Sequence, residues 1–107
     1  MTETERILST EYSEEFDQLR KNRMQFSFYK YGKLADNYGQ DKPFSADKSI
    51  DKYLAKFRET GNLEFLLDVA NFCMIEFMLP SDANFYFHQT ESGESPGIQG
   101  KNGQGWR

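Results

Sequence analysis

Between Asn62 and Pro80 the chain is apolar almost throughout, and the polar residues that open and interrupt the run recur at helical spacing. At about 100° per residue, Glu64, Asp68 and Asn71 fall within roughly 60° of one another. Leu63, Leu66, Leu67, Val69, Ala70, Met74, Phe77 and Met78 cover most of the remaining circumference. This pattern predicts an interior helix whose polar stripe meets donors inside the protein or at a ligand, because unpartnered polar groups are costly to bury. Asn62 is placed to cap the helix, and Pro80 to stop it after Leu79.

Upstream, Phe16, Leu19, Arg20, Arg23, Met24, Ser27, Phe28 and Tyr31 recur at steps of three and four, which predicts a long first helix ending near Tyr31. Ser9, Thr10 and Ser13 are its candidate N-caps, and Gly32 and Gly39 weaken or end it, with Leu34 to Tyr38 continuing after a bend. Ile50, Tyr53, Leu54 and Phe57 mark a second helix, capped by Ser45 and closed by Gly61 in the left-handed C′ position. The short turn from this helix into the apolar one makes an antiparallel hairpin. The expected fold class is therefore all-α: a small three-helix domain, helical hairpin plus long N-terminal helix. Phe85, Tyr86 and Phe87 form a short extended aromatic segment packed back over the helices, and a flexible Gly-rich tail follows. The expected organisation is a frayed segment over residues 1–9, a helical domain over 10–89 and a tail over 90–107 that carries Trp106.

Composition narrows the class. A chain of 107 residues reads as one domain, and ten Phe, six Tyr and one Trp supply a core. The acidic start, Met1 to Arg6, has no apolar region of the signal-peptide kind, and no stretch approaches a membrane span. Cys73, the single cysteine, is expected to be a buried thiol, and the compartment a reducing cytoplasm. The net charge of −4 argues against a general nucleic-acid binder. Charge is unevenly placed: residues 3–17 hold six acids against Arg6 alone, whereas Arg20, Lys21, Arg23, Lys30 and Lys33 follow against Asp36. Acid near a helix start and base further along suit the helix dipole.

Two constellations are candidates for chemistry. Glu64 and Asp68 lie one turn apart, and with Glu14 or Glu15 from Glu11-x-x-Glu14-Glu15 they resemble the magnesium-binding carboxylates of all-α nucleotide pyrophosphohydrolases. The spacing departs from that pattern, ExxxD in place of ExxD and across too long a gap. The structural alternative is that Arg20 or Arg23 neutralises the stripe of Glu64, Asp68 and Asn71. The second constellation is the basic-aromatic stretch from Arg20 to Lys33. Arg20, Lys21, Arg23, Tyr29, Lys30 and Tyr31 are its binding candidates, for a protein partner or for phosphate, including a single-stranded nucleic acid. The bland alternative is an amphipathic helix with aromatic core residues and solvated lysines. His88 stands alone with no metal-ligating partner, and the glycines from Gly93 to Gly105 form no phosphate-binding loop. No catalytic residue, resident metal or cofactor is assigned; magnesium enters only with the hydrolase reading.

Leu19-Arg-Lys-Asn-Arg-Met24, the aromatic run to Tyr38-Gly39, the stretch Lys56 to Met78 and the stretch Phe87 to Gly97 together resemble an uncharacterised small protein family of phages and prophages of Gram-positive bacteria. The resemblance implies a setting and transfers no catalytic residue. It favours a non-enzymatic phage protein that binds and modulates or inhibits a host macromolecule, as a counter-defence, anti-CRISPR-like inhibitor does. The alternatives are a metal-dependent nucleotide hydrolase or nucleotide-sequestering protein, and a single-stranded nucleic-acid binder. The expected partner is a host or phage protein such as a defence effector, with no membrane partner. A homo-oligomer also fits a helix that is apolar over so much of its surface.

Overall fold

The computed structural model describes residues 1–90. It is all-α: α1 (Glu3–Glu11), α2 (Glu14–Tyr31), α3 (Leu34–Asn37), α4 (Ala46–Thr60) and α5 (Glu64–Met78), with no strand among the described residues. The apolar run is α5, the long basic-aromatic helix is α2, and the stripe of Ile50, Tyr53, Leu54 and Phe57 lies on α4.

The starts and stops follow from local chemistry. Ser13 caps α2, its hydroxyl accepting from the Phe16 amide at 3.0 Å. Of the three candidate caps, the last in sequence is the one used. Ser45 caps α4 by accepting from Lys48 N at 3.1 Å. Gly61 ends α4 at φ 72°, in the left-handed region that an L side chain adopts only at a cost, and its N–H bonds Phe57 O. Asn62 Oδ1 accepts from Glu64 N at 3.0 Å and so opens α5, which stops at Met78, two residues before Pro80.

Residues 3–11 are helical where a frayed segment is expected. Thr2 and Glu5 form a reciprocal capping box, Thr2 N donating to Glu5 Oε1 at 2.7 Å and Glu5 N donating to Thr2 Oγ1 at 3.1 Å. The acids that make the segment look unstructured by composition are favourable at the positive end of a helix.

Packing is dominated by the α4–α5 hairpin, with α2 laid across α5. Tyr53 of α4 meets Phe72 and Phe65 of α5 at ring-centroid distances of 5.1 and 6.2 Å, and Tyr38, after α3, reaches Phe72 at 6.4 Å. Among the described residues, Leu67, Ile75 and Ala46 are the buried apolar ones, joined by one buried polar residue, Asn71.

α5 is interior on one side only. Leu67, Asn71 and Ile75 share the buried face, the same face that carries the polar stripe. Cys73 lies about half a turn away and is exposed, where a buried thiol is expected. Phe77, also on that open side, is exposed too. The aromatic segment likewise packs less than expected. Phe87 meets Phe77 edge-on at 6.1 Å, yet Phe85, Tyr86 and Phe87 all remain exposed. The Gly-rich tail and Trp106 lie outside the described residues.

No helix among the described residues is long and apolar enough to cross a membrane.

Candidate functional site

The polar stripe of α5 meets α2. Arg23 projects from α2 and grips Asp68 with two parallel bonds, Nε to Oδ1 at 3.0 Å and Nη2 to Oδ2 at 3.3 Å. Its remaining nitrogen, Nη1, donates to Glu64 Oε2 at 3.0 Å. The planar guanidinium fork matches a carboxylate in this way, and the charge-assisted bonds are stronger than neutral ones. Burial alone would lower the Arg23 pKa, but the bonds and charges of Asp68 and Glu64 outweigh it and hold the group above its ordinary value.

One turn earlier, Arg20 and Asn71 exchange bonds across the same helix pair. Arg20 Nη1 donates to Asn71 Oδ1 at 3.3 Å, and Asn71 Nδ2 donates to the Arg20 carbonyl at 3.2 Å. The second bond reads backbone, so it fixes the axial position of α2 as well as its side chains. Arg20 Nη2 also pairs with Asp17 at 2.9 Å, and the guanidinium lies over the Phe16 ring at 5.6 Å. Arg20 Nε is shielded from solvent and has no partner among the described residues. Asp17 in turn accepts from the Tyr12 hydroxyl, which lowers the carboxyl pKa and raises that of the phenol. The network therefore runs from the α1–α2 junction, along α2, to the face of α5.

This arrangement divides the candidate residues. Glu64, Asp68 and Asn71 are brought together, and each holds an arginine. Arg20 and Arg23, candidates for phosphate or partner binding, face inward to those residues. Lys21, Tyr29, Lys30 and Tyr31 remain exposed on α2, with Lys30 Nζ 5.2 Å from the Tyr31 ring centroid. A magnesium ion at Glu64 and Asp68 would have to displace the Arg23 guanidinium. Among the described residues, no three His, Cys, Asp or Glu side chains gather closely enough to hold a metal ion. His88 is exposed in the segment after α5.

Sequence reasoning did not foresee an apolar groove of about 350 Å3 at the end of α5, bounded by Ile50, Cys73, Phe77, Phe85 and Phe87. Apart from Ile50 of α4, its walls come from the end of α5 and the segment that folds back after Pro80, a reversal that no periodicity marks. Glu76 is its one charged neighbour. One oxygen of Glu76 accepts from Ser81 N and Oγ at 2.8 and 2.9 Å, which turns the chain back toward the groove after Pro80.

Comparison of the chain with protein-family models, with curated proteins and with solved structures gives no match.

Proposed function

We propose that this chain is a non-enzymatic binding protein of a phage or prophage, attaching to a host or phage macromolecule and modulating it as a counter-defence inhibitor does. The setting comes from the sequence resemblance. One observation supports the mode of action: the second half of α2 carries exposed aromatic rings on both flanks of the side that packs on α5. Phe26, Phe28, Tyr29 and Tyr31 point in four directions about the axis and are all exposed. A soluble helix normally keeps such residues on one face, and large exposed aromatic surface marks interaction sites. Arg20, Arg23, Glu64 and Asp68, which a hydrolase would use, are held in bonds within the chain. That leaves aromatic rings and lysines as the surface available to a partner.

The target side of this surface is the flank that carries Lys21, Phe28 and Tyr31. Lysines interleaved with aromatic rings fit an acidic protein surface with apolar anchors. The test is capture from lysates of several hosts by the immobilised full chain, with mass spectrometry of what is retained. One macromolecule held in stoichiometric amount by the parent chain, and released by Lys21→Glu with Phe28→Ser, supports the reading. Capture that is indifferent to both changes, or no capture from any host, overturns it. Calorimetry against nucleotides runs in parallel, and a binding heat abolished by Asp68→Ala would favour the hydrolase reading instead.

A further inference from the structure

The groove at the end of α5 gathers apolar side chains without covering them. Cys73 and Phe77 lie one turn apart on the open side of α5, Ile50 of α4 closes one edge, and the segment returning after Pro80 closes the other. Phe77 is 71%, Phe85 48% and Phe87 78% exposed, although all three surround one hollow. Rings gathered in one exposed patch mark a surface that meets something. An apolar cavity of about 150 Å3 is enough to bind benzene. At about 350 Å3 this groove admits two fused rings.

The same groove borders an unmet polar group. One oxygen of Glu76 is bonded to Ser81, but the other, Oε1, is shielded from solvent and has no partner among the described residues. A carboxylate oxygen cut off from water calls for a hydrogen-bond donor. The occupant that fits is therefore a flat apolar group carrying an N–H.

We propose that the groove is the docking site for Trp106 of this same chain, whose indole ring fills the hollow and whose Nε1–H donates to Glu76 Oε1. Chemistry selects an indole. It is a large apolar plate with one donor and no acceptor, and when buried its N–H has to find a partner. The needs of Glu76 and of the indole are thus met by one bond. Trp106 is the chain's one Trp, and no other Phe, Tyr or Trp follows Phe87. Glycines and polar residues fill most of the stretch between them, so the ring finds no core of its own there. Charge agrees: Lys101 and Arg107 are the charged residues nearest Trp106 in sequence, and Glu76 is the one charged residue at the groove.

Connection selects this Trp over a free partner. The chain leaves the groove wall at Phe87 and reaches Trp106 about twenty residues later, and a Gly-rich coil of that length spans roughly 22–27 Å end to end. That is long enough to turn back and short enough to keep the ring near the wall it left. Tethering of this kind gives an effective concentration on the order of millimolar, so an intrinsic dissociation constant of about 1 mM already leaves the groove half filled. A free partner at micromolar concentration needs an affinity about a thousand times higher to compete. Docking uses none of the residues given to target binding, because Lys21 and Phe28 lie on α2 and do not border the groove.

With one Trp in the chain, quenching of indole fluorescence by acrylamide reads Trp106 alone. The full chain is expected to be quenched several-fold less than the same chain unfolded in urea, and to the same degree at every protein concentration. Phe77→Ser removes a wall residue that is mostly exposed. It is expected to bring quenching up to the unfolded level while circular dichroism keeps the helical signal. Glu76→Gln, which keeps the shape without the charge, is expected to move the single indole N–H resonance. A parent ring as accessible as in urea overturns the proposal. So does protection that survives Phe77→Ser, or an indole N–H resonance indifferent to Glu76→Gln. Protection that grows with protein concentration overturns it as well, by assigning the groove to Trp106 of a second copy.

Discussion

Removing the Asp68 carboxylate leaves Arg23 with Glu64 alone, and the Glu64 side chain is 59% exposed. Breaking a fully buried pair costs about 3–5 kcal/mol, but Arg23 is itself 38% exposed and water screens the loss. Asp68→Ala is therefore expected to lower unfolding stability by about 2 kcal/mol, and Glu64→Ala by less than about 1 kcal/mol. Denaturant titrations of the two variants check the order; equal losses would mean that the exposed bond matters as much as the bidentate one. Asn71→Ala removes both bonds to Arg20 at a buried position and is expected to cost about 2 kcal/mol by the same measurement. The stripe was legible in the sequence because helical spacing alone puts its three residues together, and a mostly apolar helix has to neutralise carboxylates from outside itself. Which arginine meets which partner was not legible. That depends on the axial offset between α2 and α5, which is set by the Asn71 amide reaching the Arg20 carbonyl.

Among the elements, α1 is held by local chemistry and packs little on the rest of the chain. Bonds to Thr2 lower the Glu5 pKa, so the stabilisation they give is present above the unfolded carboxylate value and is lost as pH falls through the lower folded one. The capping box is expected to open as acid is added through that lowered value, seen as movement of the Thr2 to Arg6 amide signals in an NMR titration. The Tyr12–Asp17 bond has two limits. Asp17 is lowered, so that contribution fades in acid, whereas Tyr12 is raised, so its contribution is present below the unfolded phenol value and is lost as pH rises through the folded one. Asp17→Asn should return the Tyr12 titration, read by ultraviolet absorbance, toward about pH 10. At Gly61 the left-handed φ makes Gly61→Ala cost about 1 kcal/mol, although a Cβ there meets nothing within 4 Å. The helix ends were readable from sequence because Ser13, Ser45, Gly61 and Asn62 act through neighbours within four residues. Exposure was not readable: Cys73 and Phe77 sit on an apolar side of α5 that neither α2 nor α4 covers.

At the scale of the molecule, only Ala46, Leu67, Asn71 and Ile75 are buried among the described residues, and a directional polar latch supplements the apolar packing that holds α2 to the hairpin. The compact helical class was visible from periodicity; the surfaces left uncovered were not, since covering is a property of the assembled elements. One of those uncovered places carries the chain's single sulfhydryl, Cys73, at the edge of the apolar groove. Nature has thus left one chemical handle beside this hollow. A maleimide dye attached there, with no engineered residue, would report by its emission colour whether that hollow is wet or occupied.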